Sequence, residues 1–218
     1  MFERLLQLPL FQGLTTKEIS EVMAHVRLDF VNYHAGDEIV IQGDACRTLI
    51  FVLNGEVEAE YRDEAGRFTL TETLPNIKVI EPYNLFGMYQ KFSRTYTFTT
   101  EGITLSIAKS VMLKQLIVND IIKINTLNIV CNKYQQTQRL LCHFPDDNVH
   151  HKIVRFLLSH STHSKGKKDV QIKMTELANI IHETRLNVSN ALNAMQDKGH
   201  ATLQRGGFTV NDLQDLYQ

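Results

Sequence analysis

Between residues 27 and 107 apolar and polar positions alternate with a period of two, and on either side of that stretch the period lengthens to that of a helix. The runs RLDFVNY, DEIVIQ, TLIFVLN, EVEAEYR, FTLTETL, TYTFTT and ITLSIA are separated by Gly36, Gly43, Gly55, Gly66, Gly87 and Gly102. Short β-rich runs with glycine corners predict a closed antiparallel roll whose interior is able to hold a small ligand. Ahead of it, Thr15 or Thr16 caps a helix that buries Ile19, Val22, Met23 and Val26.

After the roll a long helix is expected over residues 119–142. Ile124, Leu127, Cys131, Tyr134, Gln138 and Leu141 recur along it at spacings of 3, 4, 3, 4 and 3, an a/d seam that favours a parallel pair with a second copy. Packing of that face on the chain's own roll is the alternative. Pro145 ends this helix, and Asp146, Asp147 and Asn148 offer a cap to the next, VHHKIVRFLLSHS. KGKKD then reads as a solvated turn and VQI as a short strand.

The stretch MTELANIIHETRLNVSNALNAMQDKG, residues 174–199, reads as two short helices. Thr175 is expected to cap the first, which buries Leu177, Ile180 and Ile181, and His182 stands where a turn glycine is usual. Thr184 caps the second, which keeps Val188, Leu192 and Met195 on one face and turns Arg185, Asn187, Ser189 and Asn190 away from it. Arginine and asparagine in the first turns of such a helix match guanine and adenine edges in a DNA major groove. Two amphipathic helices at an angle also occur in ordinary helical cores. What favours a helix-turn-helix is the sequel ATLQRGGFTV, two short strands around Arg205-Gly206-Gly207 that form a wing.

The 218 residues suffice for two domains, and at 43% hydrophobic the chain is globular. The apolar run LLQLPLF is short, interrupted by Gln7 and Pro9, and flanked by Glu3 and Arg4, so neither a signal peptide nor a membrane span is expected. Cys46, Cys131 and Cys142 form no CxxC pair, which points to a reducing compartment, and a cytoplasmic location is expected. Net charge is −1 overall. Residues 1–145 carry 14 Lys+Arg against 16 Asp+Glu, and residues 146–218 carry 9 against 8. Attraction to phosphates therefore depends on local placement, with Lys165, Lys167, Lys168, Lys173, Arg185 and Arg205 as candidates.

His143, His150, His151, His160 and His163 invite a metal reading, but His150 and His151 point about 100° apart on a helix and lack a carboxylate or thiol at i+3 or i+4 from both. No metal is expected. The strands hold no HxH pair of the kind a cupin enzyme uses, and no Walker loop, GxSxG, HExxH or GxGxxG occurs, so an enzyme is not expected either.

PLFQGL at 9–14, YHAGDEIVIQGD at 33–44, LIFVLNGEVEAEY at 49–61, NLFG at 84–87, VNDI at 118–121 and ELANIIHETRLNVSNALNAMQDKG at 176–199 together resemble the Crp/Fnr family of bacterial transcription regulators, in family order over essentially the whole chain. The resemblance implies an α+β chain: a cyclic-nucleotide-binding-like jelly roll at 1–118, a dimerisation helix at 119–144 and a winged helix-turn-helix at 145–218. It also implies a homodimer on a palindromic operator, with double-stranded DNA and RNA polymerase as partners and a small-molecule effector sensed in the roll. Lys168, Lys173, Thr175, Thr184, Arg185, Leu186, Asn187, Ser189, Asn190 and Arg205 are the expected DNA-binding residues. Phe86, Gly87, Met88, Arg94, Thr95, Thr137 and Gln138 fall where the family places its effector pocket, and the effector itself is unknown.

Departures from the family bear on that effector. Met88 stands where cAMP-binding members carry a ribose-binding Glu, and the spacing from Gly87 to Arg94-Thr95 is shortened, so cAMP is not expected. No cysteine precedes Cys46, which excludes the iron-sulfur branch. His25 and His34 are the only candidates for a haem ligand and fit a solvated role better. A ligand-binding roll whose helix-turn-helix serves protein contacts is the rival to a DNA-binding regulator.

Overall fold

The computed structural model describes residues 5–24, 26–74, 77–141 and 148–216. In chain order it contains α1 (Thr16–Met23), β1 (Asp29–Tyr33), β2 (Glu38–Val40), β3 (Thr48–Asn54), β4 (Val57–Arg62), β5 (Phe68–Leu74), β6 (Val79–Ile80), β7 (Thr95–Phe98) and β8 (Gly102–Ala108). Then follow α2 (Asp120–Leu141), α3 (Val149–Ser159), β9 (Lys168–Ile172), α4 (Met174–Ile180), α5 (Arg185–Asp197), β10 (Ala201–Gln204) and β11 (Gly207–Val210). The α+β class and the succession of strands, long helix and winged helix are as expected.

Two compact units divide the chain. One comprises Met1–Val57, Asn76–Ser93 and Thr97–Thr137, the other Glu58–Pro75, Arg94–Tyr96 and Gln138–Gln218. This is a different partition from the expected 1–118, 119–144 and 145–218, because β5 and most of β4 cluster with the C-terminal segment.

In the first unit an antiparallel sheet runs in the order β1-β8-β3-β6. Leu49, Phe51, Leu105 and Ile107 are buried in the phase the period of two selects, while Ile50 and Val52 are buried as well, so β3 is covered on both faces. Helix α1 starts on a reciprocal cap: the Thr15 hydroxyl accepts from Glu18 N, and the Glu18 carboxylate accepts from Thr15 N at 2.7 Å. Ile19 and Val26 are buried as expected, whereas Val22 and Met23 are half-buried. Ile122 buries one side of α2, and the Asn125 amide donates to the carbonyls of Leu10 and Gln12. The opposite face is bare. Ile124, Leu127 and Tyr134 are 57%, 59% and 65% exposed, Cys131 is exposed beside them and Gln138 is exposed further along the helix, so the described residues leave these seam positions uncovered. The Leu141 side chain lies outside the described residues, as do His25, Cys142, His143, Pro145, Asp146 and Asp147.

In the second unit Asn148 caps α3, its side chain accepting from His151 N at 2.8 Å. The sheet runs β10-β11-β9-β5-β4, so the wing continues directly into a hairpin from the first half of the sequence. Strands β5 and β9 are antiparallel, with Phe68 opposite Ile172, Leu70 opposite Val170 and Glu72 opposite Lys168. One core packs on this sheet: Phe68, Leu70, Ile153, Val154, Leu157, Leu177, Val188, Leu192, Met195 and Phe208 are among its buried residues.

Candidate nucleic-acid interface

Helices α4 and α5 meet at a turn formed by His182, Glu183 and Thr184. His182 adopts φ +55°, the left-handed conformation that a turn glycine ordinarily supplies, so the break occurs without one. The Thr184 hydroxyl accepts from Asn187 N at 3.2 Å and caps α5, as expected. Its own proton stays available to donate to an anion. The cap expected at Thr175 is not formed. Helix α4 begins after Lys173 without a side-chain cap, and Thr175 sits exposed in the first turn.

Glu183 ties the turn together by accepting from Lys152 Nζ at 2.8 Å and from the Asn187 side-chain amide at 3.1 Å. Hydrogen bonding from Lys152, then from Asn187, holds its carboxyl below the ordinary glutamate range. Lys152 and Glu183 were not among the expected residues. An acid four residues before Asn187, at the end of a turn, was the available signal.

Arg185, Leu186, Asn187 and Asn190 project from the first turns of α5 into solvent, and Ser189 is half-buried. Leu186 is 69% exposed. Beneath them Val188, Leu192 and Met195 are buried, which fixes the rotation of the helix. The wing lies in the same unit. β10 and β11 pair with Gln204 opposite Gly207, leaving Arg205 exposed in a two-residue turn where Gly206 has φ +83°. A side chain at Gly207 would collide with the Val170 carbonyl, so β11 approaches β9 as closely as it does only because that residue is glycine. Asp169 fastens the base of the wing by accepting from Gln171, Thr209 and Gln204. Partial burial opposes ionisation of Asp169, but those hydrogen bonds outweigh it and lower its pKa.

One expected member of this surface is misplaced. Lys168 is fully buried, its ammonium 3.3 Å from Glu72 and donating to the carbonyls of Lys165 and Gly166. It has no access to a phosphate. Burial pushes its pKa below the ordinary lysine range, against the attraction of Glu72. Lys173 and Arg205 remain exposed.

Residues 151–218 match the Crp-like helix-turn-helix domain. The family likeness is thus fixed for the C-terminal segment, which carries a Crp-like helix-turn-helix domain. Among solved structures, the catabolite activator protein of Thermus thermophilus is 19% identical and covers 95% of this chain and 96% of its own, with a TM-score of 0.50, which extends the likeness of fold to the whole chain. DNR of Pseudomonas aeruginosa (17% identical, 98% and 95% covered, TM-score 0.45) and FixK2 of Bradyrhizobium japonicum (13%, 88% and 96%, TM-score 0.44) are also similar. No curated protein matches the chain by sequence.

The residues at the Crp/Fnr effector positions are distributed over both units: Phe86, Gly87, Met88 and Thr137 in the first, Arg94, Thr95 and Gln138 in the second. In the first, Met88 is 94% exposed and the Thr137 hydroxyl donates to the Lys133 carbonyl within α2. In the second, Arg94 is buried. Its guanidinium lies 3.6 Å from Glu72, donates to the His160 carbonyl at 2.7 Å and stacks on Tyr61 at 5.6 Å. An arginine engaged in this way is committed to partners within the protein, whereas the resemblance placed Arg94 in an effector pocket. Among the described residues no three His, Cys, Asp or Glu side chains come together in a metal-binding group. His150 instead bonds the Leu216 carbonyl, and His160 packs among Tyr61, Phe68 and Phe156. No helix among them is long and apolar enough to cross a membrane.

Proposed function

We propose that this chain is a cytoplasmic, sequence-specific transcription regulator that binds a palindromic operator as a homodimer and answers to a small effector other than cAMP. The observation that carries the DNA reading is the exposed start of α5. Arg185 and Asn190 make no hydrogen bond or ion pair with the described residues, while the helix beneath them is locked into a core and capped by Thr184. Side chains held ready on a fixed helix, next to a wing with Arg205 at its tip, suit a major groove flanked by phosphates. Arg185 reads a guanine, Asn190 an adenine, and Leu186 a thymine methyl. Thr184, Thr175, Ser189, Lys173 and Arg205 serve the backbone. Asn187, drawn toward Glu183, contributes less than its exposure suggests.

Binding by Arg185→Ala, measured on an operator obtained by selection from random DNA, is expected to weaken by about 1 to 3 kcal/mol and to lose discrimination at one guanine. Uniform weakening on all sequences would sink the readout assignment. Binding that ignores salt would point to a helix-turn-helix used for protein contacts. The dimer rests on the bare face of α2. Replacing Leu127 and Tyr134 together with Asp places unpaired charge on that face, so sizing is expected to give monomers, and a persisting dimer would move the seam elsewhere.

A further inference from the structure

Strand β9 has β11 on one side, and its other edge would lie open were it not paired with β5. The inward residues of β5 are Phe68, Leu70, Glu72 and Leu74, so a carboxylate sits in phase with three apolar side chains, and on β9 Lys168 is in phase with Val170 and Ile172. The two charged residues face each other across the ladder, both fully buried. Arg94 approaches the same carboxylate, so one anion is shared by two cations. The backbone supplies further partners. Thr162 N donates to Glu72 at 2.7 Å, the carbonyls of Lys165 and Gly166 accept from Lys168, and that of His160 accepts from Arg94.

We propose that Glu72, Arg94 and Lys168 form an ionic latch that holds the β4–β5 hairpin in a single register on the free edge of the winged helix. Two physical features give it that character. A slip of two residues would keep Phe68, Leu70 and Leu74 on the inward face but carry Glu72 out of register with Lys168 and leave buried charges without partners, so the triad excludes alternative registers that the apolar side chains alone would tolerate. A seam closed by charges also differs from one closed by apolar side chains, because once opened its groups are well hydrated; the closed state is specified without being made irreversible. The latch joins residues about 100 apart in sequence. It leads from the hairpin through β9 to β11 and Arg205, a contiguous path by which the position of the hairpin reaches the wing. This last consequence rests on the DNA-binding reading; the latch itself does not.

Hydrogen exchange on the full chain tests it without DNA, so the result stands apart from the fate of that reading. In Glu72→Gln, the amides of β5 and β9 that bond to each other are expected to exchange roughly a hundredfold faster, while α5, held by its own core, keeps its protection. Arg94→Gln leaves the Glu72–Lys168 pair and is expected to accelerate the same amides by a smaller factor. Unchanged exchange in both strands would overturn the latch. So would loss of protection throughout α5 in either variant, including a Glu72→Gln chain that fails to fold, provided Arg94→Gln shows the same spread, since the triad would then be part of the core rather than a separable clasp.

Discussion

Among the basic residues that fall near positions where the sequence suggests phosphate contact, Arg205, Lys173, Arg94 and Lys168 divide by their surroundings into pairs with opposite roles. Arg205 and Lys173 stand in solvent at the wing tip and at the start of α4. Arg94 and Lys168 are buried against Glu72. The first pair keeps its charge for a partner, and the second has already used it inside the protein. Residue type and nearness in sequence to the helix-turn-helix do not separate the two. For Lys168 the phase within its strand does, because it falls on the side of β9 that carries Val170 and Ile172.

The sharpest way to break this comparison is to remove one cation from each pair. Lys168→Ala leaves Glu72 buried beside a single remaining cation, so it is expected to destabilise the chain by about 3 to 5 kcal/mol in denaturant unfolding. Where it still folds, it is expected to leave the salt dependence of DNA binding unchanged. Arg205→Ala is expected to leave unfolding within about 0.5 kcal/mol of wild type, weaken binding to all sequences alike and lower the salt slope by about one. A Lys168→Ala chain of normal stability with a flattened salt slope would erase the distinction and return Lys168 to the DNA surface.

The same contrast explains what the sequence disclosed. The strands of the roll, the long helix and the helix-turn-helix were legible because each buries residues at its own period, and Val188, Leu192 and Met195 set the orientation of α5 without help from distant contacts. The Thr15, Asn148 and Thr184 caps were legible for a local reason: a hydroxyl or amide meets a backbone N–H three residues on. The β5–β9 pairing was not, since nothing local in FTLTETL names its neighbour. Even so, Glu72 carried a mark, a carboxylate in phase with Phe68, Leu70 and Leu74. A charged residue on an apolar phase implies a buried counter-charge, and Lys168 carries the matching mark on β9. Thr175 was misread because threonine caps are common just before such helices, whereas this one starts a residue earlier, at Met174.

A third kind of ion pair sharpens the comparison from the other side and carries the smallest expected effect. Asp63 and Arg67 close the β4–β5 turn at the surface end of the hairpin, with Arg67 Nε 2.9 Å from the carboxylate and the Arg67 and Gly66 amides directed at the same residue. The Arg67 side chain, donating to Asp63, is the main cause that lowers the Asp63 pKa to about 2. The folded value lies below the roughly 3.9 of an unfolded Asp, so folding favours the ionised form. The pair's contribution is therefore fully present above about pH 4 and lost as the pH falls toward 2. Carboxyl titration by NMR is expected to return the low Asp63 value in the wild type and a higher one in Arg67→Ala. The stability difference between the two proteins is expected to be constant near neutrality and to shrink through that acidic window. A difference that persisted unchanged to pH 2 would mean that Arg67 acts through packing of its stem on the turn, and the charge-dependent hold on the hairpin would then lie at Glu72 and β9 rather than at its tip.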